Sequence, residues 1–352
     1  MNKLRVGIIG TGGISAMHID GYRQCDNVEI ISGCDIDALK LDAVCKKNGI
    51  PEQYLDHREL LEKSDVDAVS ICTSHESHAE IAINAMKAGK HVLSEKPMAI
   101  SSKQAQEMLD TSKETGKLLM LGFVRRFGDD AELILECKDQ GMFGDIYYAK
   151  ASYLRRYGFP GGWFGNKAKS GGGPLIDLGV HSIDLCRYLM GNPNPVTVSG
   201  TTSYKMGKPV LKDQYVADVS NEKRTDDIFD VEDLATLYVK FDNGAVFYLD
   251  TSFCLNVKSP TGKIELFGDK AGTKIDPEVE FYSVLAGRMV DITPVKKAMF
   301  DFRDCFRREL KHFVDCITLG IPCRNPAEDG LMVTKIIEAG YKSAETGKEI
   351  VF

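Results

Sequence analysis

Along the first third of the chain, short runs of aliphatic and β-branched residues alternate with stretches in which apolar positions recur at helical spacing. Leu4 to Ile9, Val28 to Cys34, Ala68 to Cys72, His91 to Ser94 and Leu118 to Leu121 read as strands. Ser77 to Ala88 and Lys103 to Thr115 read as helices, the first with Ile81, Ala85 and Ala88 on one face. Gly49, Gly89 and Gly116 each follow a last turn bearing lysine, which is a common way for a helix to end. This alternation predicts a parallel sheet with helices on both faces.

After residue 123 the pattern changes. A helix (Ala131 to Lys138) precedes a strand (Ile146 to Leu154), a glycine-rich loop from Gly158 to Gly173, and a long amphipathic helix from about Pro174 to Met190 that opens on proline. Strands then dominate: Val196 to Tyr204, Leu234 to Phe241, Ala245 to Phe253 and Lys263 to Phe267, with Asp242-Asn243-Gly244 marking a hairpin. Phe302 to Leu319 and Ala327 to Glu345 return to helical spacing. The fold class expected is therefore α/β in two domains: a doubly wound parallel sheet over 1–123, then an α+β domain with a large, mostly antiparallel sheet over 124–352. A chain of 352 residues exceeds the usual size of a single core, which agrees with two domains.

Composition narrows the partners. A net charge of -7 and a pI near 5.6, with no basic block, argue against a nucleic-acid or anionic-membrane surface and favour a small molecule. Ten cysteines stand singly with no C-x-x-C pair, so they read as reduced, mostly buried residues and no metal site is expected. A strand that begins by Leu4 leaves no room for a secretory signal, and no apolar run approaches ~18 residues, so the cytoplasm is the expected compartment.

Gly10-Thr11-Gly12-Gly13-Ile14-Ser15 follows the first strand and opens a helix, the context that a dinucleotide fingerprint requires. Gly10 permits the tight turn, while Gly12, with Gly13 and Ile14 beside it, lets backbone approach a pyrophosphate at the helix amino terminus. Ser15 replaces the third glycine and is still small enough for close packing. Asp35 closes the second strand 23 residues after Gly12, placed to accept the adenine ribose hydroxyls and to repel a 2′-phosphate. NAD is expected rather than NADP.

Glu95-Lys96-Pro97 ends the fourth strand, where open α/β sheets bind ligands, and the proline restricts how Lys96 can point. Asp177 and His181 are four apart in the predicted helix, on nearly the same face and offset by ~40°. A carboxylate beside an imidazole raises its basicity and fixes its tautomer, as a general base for an alcohol needs. Lys96 adds positive charge where alkoxide character develops. Each feature also has a plainer reading: an isolated i,i+4 pair is worth a few tenths of a kcal/mol on a helix surface, and a strand-end lysine is commonly solvated. His75 and His78 either touch cofactor or substrate or simply begin the following helix. Asp184 reads as a local capping or pairing residue. The loop holding Trp163, Phe164, Lys167 and Lys169, with Arg155 and Arg156 before it, is either a substrate lid or an ordinary connection.

The glycine turn, the stretch Thr73 to Gly89, Glu95-Lys96-Pro97 and Gly171 to His181 together resemble the glucose-fructose oxidoreductase, inositol dehydrogenase and MocA family, in order along essentially the whole chain. The resemblance implies an amino-terminal Rossmann domain, a carboxyl-terminal domain whose open sheet often builds homodimers or homotetramers, and terminal helices that can pack back on the first domain. It implies Lys96, Asp177 and His181 as the catalytic set, and Thr73, His78, Glu95 and Lys96 as cofactor contacts beside the glycine turn and Asp35. It also raises a cis Lys96-Pro97 bond. The activity expected is NAD-dependent oxidation of a secondary hydroxyl of a sugar, cyclitol or related polyol. The alternatives are an NAD-retaining glycosidase of the same family and a non-catalytic regulator that senses NAD or sugar.

Overall fold

A computed structural model of the chain describes residues 3–207 and 228–352. It divides into two compact units, Met1–Val124 with Phe302–Leu331, and Arg125–Asp301 with Met332–Phe352. In the first unit, β1 (Leu4–Ile9), β2 (Val28–Cys34), β3 (Glu52–Tyr54), β4 (Ala68–Ile71), β5 (His91–Glu95) and β6 (Leu119–Gly122) form a parallel sheet. Their order is β3-β2-β1-β4-β5-β6, so the winding reverses between β1 and β4 and leaves a crevice at the strands' carboxyl ends. Every residue of β4 and β6 is buried, Ser70 included, which is why neither strand alternates between apolar and polar positions.

Five helices join these strands: α1 (Ser15–Tyr22), α2 (Ala38–Asn48), α3 (His57–Lys63), α4 (His78–Lys87) and α5 (Ser102–Thr115). Side chains cap the starts of α2, α3 and α5. Asp37 accepts the Leu39 and Lys40 amides to begin α2, and Ser101 accepts the Gln104 amide to begin α5. β3 was not expected, because three half-polar residues at a sheet edge carry no alternating signal.

The second unit begins with α6 (Asp129–Asp139), β7 (Ile146–Leu154) and α7 (Lys167–Ser170). A π-helical turn at Leu175–Gly179 then runs into α8 (Val180–Leu189). The following strands are β8 (Pro195–Ser203), β9 (Leu234–Phe241), β10 (Val246–Ser252), β11 (Thr261–Gly268), β12 (Ala271–Ile275), β13 (Val279–Leu285) and β14 (Arg288–Ile292). After α9 (Phe302–Leu319) and α10 (Ala327–Thr346), β15 (Ile350–Val351) completes a nine-stranded sheet in the order β14-β13-β12-β11-β7-β10-β9-β8-β15. Among the described strands of this sheet, only β7 and β10 are parallel neighbours. β9 alternates between buried and more exposed positions, as a strand with one covered face should. The expected hairpin is present, with Gly244 N donating to Phe241 O at 3.0 Å.

Within the first unit α9 packs on α1, so closely that a Cβ at Gly21 would lie 2.9 Å from the Leu310 side chain. Arg307 on α9 donates to Asp20 on α1 at 2.7 Å. Beyond α9, Asn325 borders β6: Leu121 N donates to Asn325 O, and Asn325 Nδ2 donates to Leu121 O, both at 3.0 Å. Within the second unit Arg126 and Asp184 form a buried two-pronged ion pair, with Arg126 Nε 3.0 Å from Asp184 Oδ2 and Nη2 2.5 Å from Oδ1. Asp184 is thus a structural partner. Losing one member would strand a buried charge at a cost of about 3–5 kcal/mol.

Candidate active site

Gly10 leaves β1 with φ of 90°, and a Cβ there would lie 2.5 Å from the Cys72 carbonyl oxygen, so the turn requires glycine. A Cβ on Gly12 or Gly13 would meet nothing within 4 Å, so both positions face open space just before α1. Ser15, in place of a third glycine, is buried and donates its hydroxyl to Gly12 O at 2.7 Å, bracing the turn. Asp35 directly follows β2 and holds the same turn from the other side. Its Oδ2 accepts both the Thr11 amide (2.7 Å) and the Thr11 hydroxyl (2.8 Å), and its Oδ1 accepts the Asp37 amide at 2.9 Å. The carboxylate remains half-exposed. An open glycine turn beside an anchored acid has the room for a pyrophosphate and the acceptor for ribose hydroxyls that a dinucleotide site requires.

Lys96 follows β5 and is half-buried; its bond to Pro97 is cis. Two buried groups set its position. Glu95 Oε1 lies 2.9 Å from His18 Nε2, and Glu95 Oε2 accepts the Lys96 amide at 3.2 Å. His18 therefore links the lysine segment to α1, directly behind the glycine turn. His78 places one ring nitrogen 2.8 Å from Pro97 O and the other 3.2 Å from Thr73 O. Burial pulls the His78 pKa below its ordinary value, against the two carbonyls that favour the charged ring. His78 opens α4, and His75 begins the 3-10 turn before it, its ring 5.8 Å from that of His78. Thr73 Oγ1 accepts the Ser77 hydroxyl at 2.7 Å. Gly10, Thr11, Asp35, Thr73, His78, Glu95 and Lys96 thus converge around the carboxyl ends of β1, β2, β4 and β5.

Asp177 and His181 belong to the second unit. The expectation of one regular helix is corrected here: Asp177 lies in the π turn and His181 in the first turn of α8. A π turn holds more residues than an α turn, so the ~40° offset expected from α spacing does not apply to this pair. The entry to the turn is fixed by Glu232, whose carboxylate accepts the Gly173 amide (2.9 Å), the Leu175 amide (3.1 Å) and the Tyr341 hydroxyl (2.7 Å). The glycine run before it is required by this packing. A Cβ at Gly172 would fall 2.1 Å from the Tyr341 hydroxyl oxygen, and one at Gly173 2.2 Å from Glu232 O. Glu232 is almost fully buried, and desolvation raises its pKa in spite of its three donors. Asp177 is buried and His181 half-buried.

The loop before this turn is ordered around Asp230, which accepts the Lys167 amide at 2.6 Å and donates its own amide to Gly165 O at 3.0 Å. Trp163 stacks on Phe164 with ring centroids 3.9 Å apart. Arg155 donates to Gly158 O at 2.7 Å. His18, Glu232 and Tyr341 escaped the sequence reading, because their partners lie 77, 57 and 109 residues away and no short motif joins them.

The strand order, the open glycine turn and the anchored acid define a dinucleotide-binding domain, joined here to a unit built on a mixed, mostly antiparallel sheet. The chain belongs to the glucose-fructose oxidoreductase, inositol dehydrogenase and MocA family. The family model described as an oxidoreductase family with an NAD-binding Rossmann fold matches residues 4–123, and the family's C-terminal alpha/beta domain matches residues 136–352. D-glucoside 3-dehydrogenase of Escherichia coli is 32% identical over 352 residues, covering 99% of this chain and 97% of that one. Myo-inositol 2-dehydrogenase of Thermotoga maritima is 27% identical over 350 residues, covering 99% and 98%. Among solved structures, an oxidoreductase domain protein from Kribbella flavida has a TM-score of 0.87 at 25% identity, covering 100% of this chain and 99% of that one. Among the described residues no helix is long and apolar enough to cross a membrane.

Proposed function

We propose that this chain is an NAD-dependent dehydrogenase that interconverts a secondary hydroxyl and a ketone on a sugar, cyclitol or related polyol. The observation that carries the reading is the anchoring of Lys96: the Glu95–His18 and His78–Pro97 contacts hold it at the end of β5, in the same crevice as the glycine cradle. The substrate class is supported by the full-length likeness to glucoside and inositol dehydrogenases.

The backbone of Gly12 and Gly13 receives the pyrophosphate, and Asp35 takes the ribose hydroxyls and disfavours a 2′-phosphate, hence NAD over NADP. When bound, the nicotinamide supplies the oxidising or reducing equivalent. His181 removes the hydroxyl proton on an imidazole nitrogen. Asp177 orients that imidazole and stabilises its protonated form. The Lys96 ammonium stabilises negative charge on the substrate oxygen.

Purified protein given NAD and a panel of glucosides, inositols and other polyols should form NADH, faster than it forms NADPH from NADP. Lys96→Ala and His181→Ala should each lower kcat/KM by about 10²–10⁴-fold. Wild-type rates in both variants would overturn the mechanism. Release of a free sugar without NADH would replace it with the glycosidase.

A further inference from the structure

The carboxyl end of α9 gathers three side chains that the proposed chemistry does not use. His312 and Cys316 are one turn apart on the helix, and Cys323 returns to them after the chain reverses at Gly320 (φ 69°). One ligand atom from each lies within 4.8 Å of the others, and Cys316 Sγ is 3.4 Å from His312 Nε2. A tetrahedral zinc ion, with bonds of about 2.0–2.1 Å to imidazole and about 2.3 Å to thiolate, holds such donors about 3.5–3.8 Å apart. The Cys316–His312 spacing suits that geometry, and entry of the ion requires the imidazole to turn its lone pair away from the Arg324 amide. The Arg324 amide donates to the same Nε2 at 2.8 Å, which keeps the lone pair on this nitrogen and leaves the proton on Nδ1. That is the tautomer a metal requires. All three residues are half-buried, shielded yet reachable.

We propose that His312, Cys316 and Cys323 bind a thiolate-preferring divalent ion of the zinc class, with water as fourth ligand. Binding releases the two thiol protons to solvent, and the ion takes over the lone pair that now accepts the Arg324 amide. Two hydrogen bonds to His312 Nε2, from the Arg324 amide and the Cys316 thiol, are exchanged for three metal–ligand bonds. A disulfide between the two cysteines would need an oxidant and would leave the imidazole unused. Cys323 lies two residues before Asn325, which pairs with Leu121 of β6 through both main chain and side chain. An occupied site would thus pin the turn that borders β6, and the ion would stabilise the first unit.

The test uses reduced, chelator-stripped, full-length protein titrated with zinc and with cobalt. The expected result is one ion per chain, thiolate-to-cobalt charge-transfer absorption and a raised melting temperature. Cys316→Ser and Cys323→Ser should each abolish the absorption, and His312→Gln should weaken binding by at least about tenfold. Should these variants misfold, the wild type still decides. Zinc should protect Cys316 and Cys323 from alkylation, read by peptide mass spectrometry, while leaving half-buried Cys137 reactive. Equal alkylation of all three with zinc present, or charge-transfer absorption that persists in the Cys316→Ser/Cys323→Ser protein, would overturn the proposal.

Discussion

Burying Glu95 beside the lysine it precedes carries a desolvation cost that its partners must offset. One carboxylate oxygen meets His18 Nε2 and the other accepts the Lys96 amide, and the chain packs so tightly here that a Cβ at Gly122 would touch Glu95 at 3.3 Å. Glu95→Gln keeps the shape but can present an acceptor to only one of these two groups. With Oε1 retained toward His18, an amide NH₂ faces the Lys96 N–H, donor against donor, at a cost of about 1–3 kcal/mol. The expected outcome is a folded protein with NAD affinity near wild type and kcat lowered about tenfold, because only the lysine segment shifts. Calorimetric titration with NAD alongside steady-state kinetics separates the two quantities; equal loss in both would show that Glu95 supports the whole crevice. Lys96 itself could be picked out from sequence, since a strand end followed by proline is a local signal. His18 could not, because its role exists only once α1 lies behind β5.

The turn carrying Asp177 makes the same point for an element. Pro174 and the apolar spacing after it announce a helix, and one begins there, but its first turn is π. What fixes the entry to that turn comes from elsewhere in the chain: Glu232 takes the Gly173 and Leu175 amides, and Tyr341 presses on Gly172 while donating to Glu232. Glu232→Gln leaves the Gly173 amide facing an NH₂ group. It should lower stability by about 1–3 kcal/mol and reduce kcat by loosening the turn under Asp177. Tyr341→Phe removes one donor from a carboxylate that keeps two and should cost less. Urea melts and kcat for both variants check the order; Tyr341→Phe as damaging as Glu232→Gln would refute it. Elsewhere the missed elements lacked local marks. The β13–β14 hairpin turns on Ala286 at φ 51° and Gly287 at φ 75°, where an Asn-Gly pair would have announced it. The large strands and helices were readable because burial on one or both faces imposes its period directly on the residues.

At the scale of the molecule, the two units should respond to acid in opposite directions. Burial lowers the pKa values of His57, His78 and His91 below the ordinary 6.5, and all three lie in the first unit. A base whose folded pKa is depressed contributes stability that is present above the unfolded pKa and lost as pH falls toward the folded value. Unfolding then takes up protons, and the first unit weakens below about pH 6.5. In the second unit desolvation raises the pKa values of Glu232 and Asp130. An acid with a raised folded pKa destabilises the fold where it must ionise, so this unit gains as pH falls through the raised values toward the ordinary carboxylate range. The single tryptophan, Trp163, lies in the second unit and reports it selectively. In cofactor-free urea melts, moving from about pH 7.5 to about pH 5.5 should split the transition. The far-UV circular dichroism midpoint should fall below the tryptophan fluorescence midpoint. His78→Phe should reduce the split, since a phenyl ring binds no proton in the unfolded chain, although losing the Pro97 and Thr73 contacts lowers stability at every pH. Coincident midpoints at both pH values would show that these buried groups do not govern the acid response.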